Sequence, residues 1–237
     1  MALRRSRTVS VEPPELGRTA GLAWARFAAD GPPWGALLIL HGAGSRKESH
    51  YDFARAARAA GLCALCFDAR GHGESEGRLG AGVLADLAAV AGELPRDVPL
   101  ALRGSSMGGY LAIVSAAALG ARAVVAICPA PADGLILGLR AGRFDFNADR
   151  AGLEAFLADH DDLQIVSAYD GALLLLHAEG DESVPYQHSV ALDAAAERAD
   201  PRRLVVLPGG HHRSIQHDAE LQAEALRWLE PVLRSVR

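Results

Sequence analysis

The chain alternates short runs of Val, Leu and Ile with longer alanine-rich stretches, and no other feature restricts its fold as much. Apolar runs without polar alternation are what parallel strands buried on both faces require, and the stretches between them are long enough for crossover helices. GALLIL (35–40), LCALCF (62–67), PLALR (99–103), AVVAI (123–127), ALLLL (172–176) and RLVVL (203–207) are expected to be strands of one sheet. Strands at 7–12 and 20–28, separated by PPELG, are expected to precede them as a hairpin and bring the count to eight. Helices are expected at about 48–60, 80–94, 107–119, 187–199 and 215–235, the last behind a Ser214 cap. The expected class is therefore α/β, a mostly parallel eight-stranded sheet with helices on both faces.

Residues 129–170 break this rhythm with no clear strand and two short amphipathic stretches, around 134–140 and 152–160. A connection that long inside a compact domain usually covers a site, so a small cap is expected there. With 237 residues and 50% hydrophobic content, the chain is expected to form one domain over 1–237.

The net charge of −5, with no basic run beyond Arg4, Arg5 and Arg7, argues against nucleic acid or an anionic membrane as partner. The basic start is not followed by an apolar core of secretory length, and no later run reaches 18 uncharged apolar residues, so a soluble, cytoplasmic protein is expected. Cys63 and Cys66, three apart in one strand, would face opposite ways and not share an ion; with Cys128 they are expected to be buried thiols.

The chemistry concentrates in RGSSMGGY (103–110), where Gly104, Ser106 and Gly108 form G-x-S-x-G between the strand PLALR and an apolar helical stretch. Such a strand–turn–helix context exposes the serine at the carboxyl edge of the sheet. Ser105 would serve as nucleophile only if the turn were shifted, which the glycines do not support.

A serine hydroxyl needs a base, and the base needs an acid to fix its tautomer. ALLLLHAEGDESVP releases Asp181 at a strand exit, with Glu179 and Glu182 beside it, and RLVVLPGGHHRS releases His211 and His212. The spacing D-x-x-V-P favours Asp181, while His211, His212 and the more distant His217 are candidates for the base. Acyl chemistry also needs donors for an oxyanion; the turn LLILHGAGS makes the backbone N–H groups of Ala43 and Met107 the natural pair, with His41 in a supporting structural place.

Five motifs together resemble the α/β-hydrolase superfamily, in its serine hydrolase branch with a short lid: HGAGS (41–45), DARGHGESEG (68–77), GSSMGG (104–109), HAEGDESVP (177–185) and PGGHH (208–212). The resemblance implies Ser106, Asp181 and His212, because the family's histidine commonly lies three residues after a glycine, here Gly209. It also implies a structural role for the loop holding Asp68, Arg70 and His72; neither this loop nor the HH pair has metal-site spacing, and no metal and no cofactor are expected.

The expected reaction is ester hydrolysis through an acyl-enzyme on Ser106, with His212 as base and then acid, on a small-molecule ester of short or medium acyl chain. Leu135, Ile136, Leu137, Leu139, Phe144, Phe146 and Phe156 of the cap are candidates to receive that chain, and Arg140, Arg143 and Arg150 are expected on a solvated mixed-charge face. An acyltransferase, thioesterase, amidase, peptidase or perhydrolase would use the same residues, and a binding protein would keep the pocket without turnover. A dinucleotide site is excluded, since no G-x-G-x-x-G follows the first strand of the parallel run.

Overall fold

The structure, a computed structural model, describes residues 12–235. Its sheet has eight strands: β1 Glu15–Thr19, β2 Leu22–Phe27, β3 Ala36–Leu40, β4 Cys63–Phe67, β5 Leu100–Ser105, β6 Ala123–Ile127, β7 Ala172–Ala178 and β8 Arg202–Leu207, in the order β1-β2-β4-β3-β5-β6-β7-β8. β2 joins β1 and β4 antiparallel, and every pairing from β4 to β8 is parallel. Each residue of β3, β4, β6 and β7 is buried, because helices cover both faces.

Helices α1 (Tyr51–Ala59) and α8 (Ala219–Arg234) cover one face through Phe53, Ala57, Leu229 and Leu233. On the other face lie α2 (Val83–Ala91), α3 (Met107–Ser115) and α7 (Gln187–Ala195), holding Val83, Leu87, Leu111 and Leu192. Cys63 belongs to the second layer and Cys66 to the first, so the two thiols are buried and free on opposite faces of β4. Among the described residues, no helix is long and apolar enough to cross a membrane.

Three local expectations are corrected. The hairpin is formed by β1 and β2, so the strand expected at 7–12 is not its first arm; residues 7–11 lie outside the described residues. Pro13 and Pro14 lack the N–H groups a ladder needs, and Ala20 and Gly21 close the turn at φ 52° and 82°, the positive angles a two-residue hairpin demands. Ser214 does not cap the last helix; Asp218 does, its carboxylate accepting from Glu220 N and Leu221 N at 3.0 Å each. Between β6 and β7 stand three helices where two were expected, α4 (Ala132–Arg140), α5 (Arg150–Asp159) and α6 (Asp162–Ala168), the last capped by Asp161. At seven residues, α6 is too short to print an amphipathic period on the sequence.

This helical segment is fastened to the loop after β4. Asn147 N donates to Gly71 O at 3.1 Å, Leu79 N to Asn147 O at 3.0 Å, and Asp149 N to Leu79 O at 2.9 Å. Tyr110 on α3 donates its hydroxyl to His160 O at 2.8 Å, tying the segment's far end to the helix that follows Ser106.

Candidate active site

β5 passes straight into α3 through Ser106, which sits at φ 55°, ψ −122°. A non-glycine residue in that region stores roughly 1–3 kcal/mol and persists only when its surroundings enforce it. The enforcement is steric: a Cβ on Gly104 would lie 2.0 Å from Gly108 O, and one on Gly108 would lie 2.3 Å from Leu40 O. Strand, turn and helix thus meet at backbone contact, and Ser106 N is held by Ile127 O at 2.9 Å.

At the ends of β7 and β8, Asp181 and His212 meet. His212 Nδ1 lies 2.7 Å from Asp181 Oδ2, while Asp181 Oδ1 accepts from Ser183 N and Val184 N at 2.8 Å each. His177, buried beneath, places Nε2 3.0 Å from Val184 O and 3.4 Å from Asp181 Oδ2. Burial by itself raises the Asp181 carboxyl, but the hydrogen bonds from His177, His212, Val184 and Ser183 outweigh it and hold the group well below the usual carboxylate range. The Asp181 carboxylate therefore favours the tautomer of His212 with Nδ1–H, leaving Nε2 as acceptor.

Ser106 and His212 line one pocket of about 460 Å³, together with the loop 42–46 and the segment 213–217. No hydrogen bond joins Ser106 Oγ to His212 among the described residues; such contacts are often long without substrate. His211 stands outside the pocket lining, its N–H turned to Ser214 Oγ at 3.0 Å. Glu182 reaches only the His212 backbone N–H, at 3.5 Å, and His217 pairs with Asp52 at 3.0 Å.

Ser105, the neighbour before Ser106, donates from Oγ to Gln216 Oε1 at 2.7 Å. Two residues back on β5, Arg103 is fully buried and donates to Gln216 O at 2.9 Å, with its guanidinium carbon 4.0 Å from the centre of the Phe53 ring. Burial lowers the Arg103 pKa to about 10, which leaves it charged near neutrality. The segment after His212 is therefore latched through Gln216 to the strand that leads into Ser106.

On the other wall, the N–H groups of Ala43 and Met107 have no protein acceptor among the described residues, whereas Gly44 N is engaged by His72 Nε2 at 3.2 Å. His41 braces this loop, with Nδ1 2.8 Å from Gly42 O and Nε2 accepting from Ala69 N at 2.9 Å. Both rings are neutral acceptors on Nε2, and burial, helped by the adjacent His72, lowers the His41 pKa to about 4. Burial lowers His72 as well. Lys47, the only lysine of the chain, is buried with Nζ at 2.9 Å from Asp68 and 2.5 Å from Glu74, and its N–H meets Asp68 at 2.7 Å. Asp68, Arg70 and His72 are thus occupied by Lys47, Asp86 and the Gly44 turn respectively.

One group of potential metal donors exists among the described residues: Cys128 Sγ, an Asp181 oxygen and a His212 nitrogen, within 4.8 Å of one another. Its carboxylate is already filled by His212 and two backbone N–H groups, and burial pushes the Cys128 thiol up, away from the thiolate a metal would need.

The apolar cap residues do not face the open pocket. Leu135, Phe144 and Phe146 close with Met107, Leu111 and Leu153 around a void of only about 10 Å³, and Phe146 stacks on His72 at 4.3 Å. Leu137 is exposed.

A family model described as serine aminopeptidase, S33 (Hydrolase_4) matches residues 31–141. No curated protein sequence matches the chain. Among solved structures, the chain is similar to a monoacylglycerol lipase of Paleococcus ferrophilus (TM-score 0.71, 20% identity, covering 90% of this chain and 98% of that one). It is also similar to Est1E of Butyrivibrio proteoclasticus with ferulic acid bound (TM-score 0.71, 21% identity, 92% and 98% covered) and to a monoglyceride lipase of Saccharomyces cerevisiae (TM-score 0.75, 17% identity, 97% and 99% covered). The sheet order and the strained turn at Ser106 agree with these likenesses, and the chain has the α/β-hydrolase fold.

Proposed function

We propose that the chain is a serine hydrolase that cleaves carboxylic esters of short or medium acyl chain through Ser106, His212 and Asp181. The observation that carries this reading is the Asp181–His212 pair at 2.7 Å, opening on the pocket that Ser106 lines. His212 Nε2 takes the Ser106 proton as Oγ adds to the ester carbonyl, and the N–H groups of Ala43 and Met107 receive the oxyanion. Collapse expels the alcohol with a proton from His212, and water then repeats the attack on the acyl-enzyme. Asp181 keeps Nδ1 protonated and stabilises the imidazolium. The helices of 129–170 act as a small cap whose closed apolar cluster favours short acyl chains, because so small a void does not admit a long one.

The matched family description favours a second reading, release of N-terminal residues from peptides on the same residues. Such a site must seat a free ammonium, and no acidic residue is among those lining the pocket, while Arg46 and Arg213 are. This lining supports the ester. A fluorophosphonate probe tests the reading: covalent label on the wild type that is absent in Ser106→Ala, together with turnover of nitrophenyl acetate, is expected, and an unlabelled wild type overturns it.

A further inference from the structure

The pocket beside Ser106 is unlike a lipid-binding groove. Among its described lining residues, Ala43 carries the only apolar side chain, none is acidic, and Arg46, Ser49, Arg213, Gln216 and His217 supply the rest of the wall beyond the turn itself. An aliphatic group placed there gains little from burial, whereas an anion meets two guanidinium groups and several neutral donors. Local carboxylates offset that charge only in part, Glu182 reaching the His212 N–H at 3.5 Å. Glu48 lies 3.7 Å from Arg46 Nε and is engaged at 2.9 Å by Lys47, Asp52 is turned to His217 at 3.0 Å, and Arg213 has no carboxylate partner among the described residues.

The direction of the chemistry decides which half of the substrate carries the charge. A base that protonates the leaving oxygen must stand on the alcohol side, and the pocket extends past His212 to Arg213, Gln216 and His217. We infer that this chain hydrolyses esters whose alcohol portion bears a carboxylate or phosphate, seated between Arg46 and Arg213. The inference rests on the serine hydrolase reading and deepens it. Arginine suits the role because its planar fork pairs both oxygens of such an anion, and it stays charged at any working pH.

The experiment compares the acetyl ester of γ-hydroxybutyrate, the acetyl ester of glycerol phosphate and the neutral acetyl ester of γ-hydroxybutyramide. At low ionic strength, kcat/KM for at least one anionic ester is expected to exceed that of the neutral one by about tenfold or more, and the ratio is expected to shrink with added salt. In the Arg46→Gln, Arg213→Gln double variant the ratio is expected to fall toward one. A wild-type ratio at or below one, or a ratio that survives the double substitution, overturns the inference while leaving the serine reading intact. Calorimetric titration of Ser106→Ala with γ-hydroxybutyrate and with glycerol phosphate separates the two ideas from the other side. Binding of either anion that is lost with both arginines supports the anion site even if no ester is turned over, and absence of binding for both overturns it; the tighter anion distinguishes carboxylate from phosphate.

Discussion

Ser105 Oγ donates to Gln216 Oε1 at 2.7 Å, so the residue before the proposed nucleophile holds the segment that follows the proposed base. They stand 111 positions apart in sequence, and one hydrogen bond joins them in space. Gln216 is fixed from a second direction by the Arg103 guanidinium on its carbonyl, and Gln222 Nε2 adds a third contact at 3.0 Å. Ser105→Ala is expected to cost about 1 kcal/mol of stability and to lower kcat more than it raises KM, since it loosens His212 relative to Ser106. Arg103→Leu is expected to cost about 2–4 kcal/mol, because the Gln216 carbonyl loses its charged donor and keeps only Gln222 Nε2. Urea unfolding and steady-state kinetics on the same preparations check both.

Ser106→Ala and His212→Ala are each expected to reduce ester turnover on the order of 10⁴-fold or more, and Asp181→Asn by a similar order because the wrong tautomer of His212 is then favoured. Combining Ser106→Ala with His212→Ala should add almost nothing, as members of one unit are not additive. Burst kinetics with a nitrophenyl ester provide the measurement, and additive losses would contradict the assignment.

Strain at Ser106 yields an opposite pair of effects. Ser106→Gly removes the hydroxyl but relieves a φ of 55°, so a gain of about 1 kcal/mol in stability is expected alongside complete loss of turnover. Gly104→Ala, whose Cβ would meet Gly108 O at 2.0 Å, is expected to lose about 3 kcal/mol or more. Thermal unfolding of the two variants beside the wild type decides.

Acid should weaken the fold through His41. Its pKa is about 4 in the folded chain against 6.5 in an unfolded one, so between those values the unfolded state holds more protons and stability falls as pH falls. This one ring accounts for about 3 kcal/mol lost across the window, and the lowered pKa values of His72 and His50 add in the same direction. His41→Gln is expected to flatten the dependence of unfolding free energy on pH between 4 and 6.5. An unchanged slope in denaturant titrations would refute the assignment.

Closing of the apolar cluster by Phe144 and Phe146 sets the last expectation. Phe146→Ala empties space next to Met107 and is expected to shift the preferred acyl chain toward longer esters, at a cost of about 3 kcal/mol in stability. Specificity constants across a series of acyl lengths give the readout, with Leu137→Ala, exposed on the same segment, as the control expected to change little.

Much of this architecture was legible because buried parallel strands must be continuously apolar, as β3, β4, β6 and the run Ala172–Leu176 of β7 are. β1 escaped because it is an edge strand with mostly exposed and polar positions, and α6 because its seven residues span fewer than two full turns of period. At the candidate site, Ser106, Asp181 and His212 announced themselves by following apolar runs and sitting among glycines. Arg103 and Gln216 did not, since they stand 113 positions apart and each is an ordinary polar residue until the fold joins them. His72 was visible only as part of a loop, because its use as an acceptor for Gly44 N depends on a contact 28 residues away.

Lys47 gives the molecule an unusual chemical silence. Its side chain is the single ε-amine of the sequence, and it is enclosed by Asp68, Glu48 and Glu74. Reagents that acylate lysines therefore find nothing on the closed surface, and the rate at which they consume this one amine reports how often the neighbouring turn swings open.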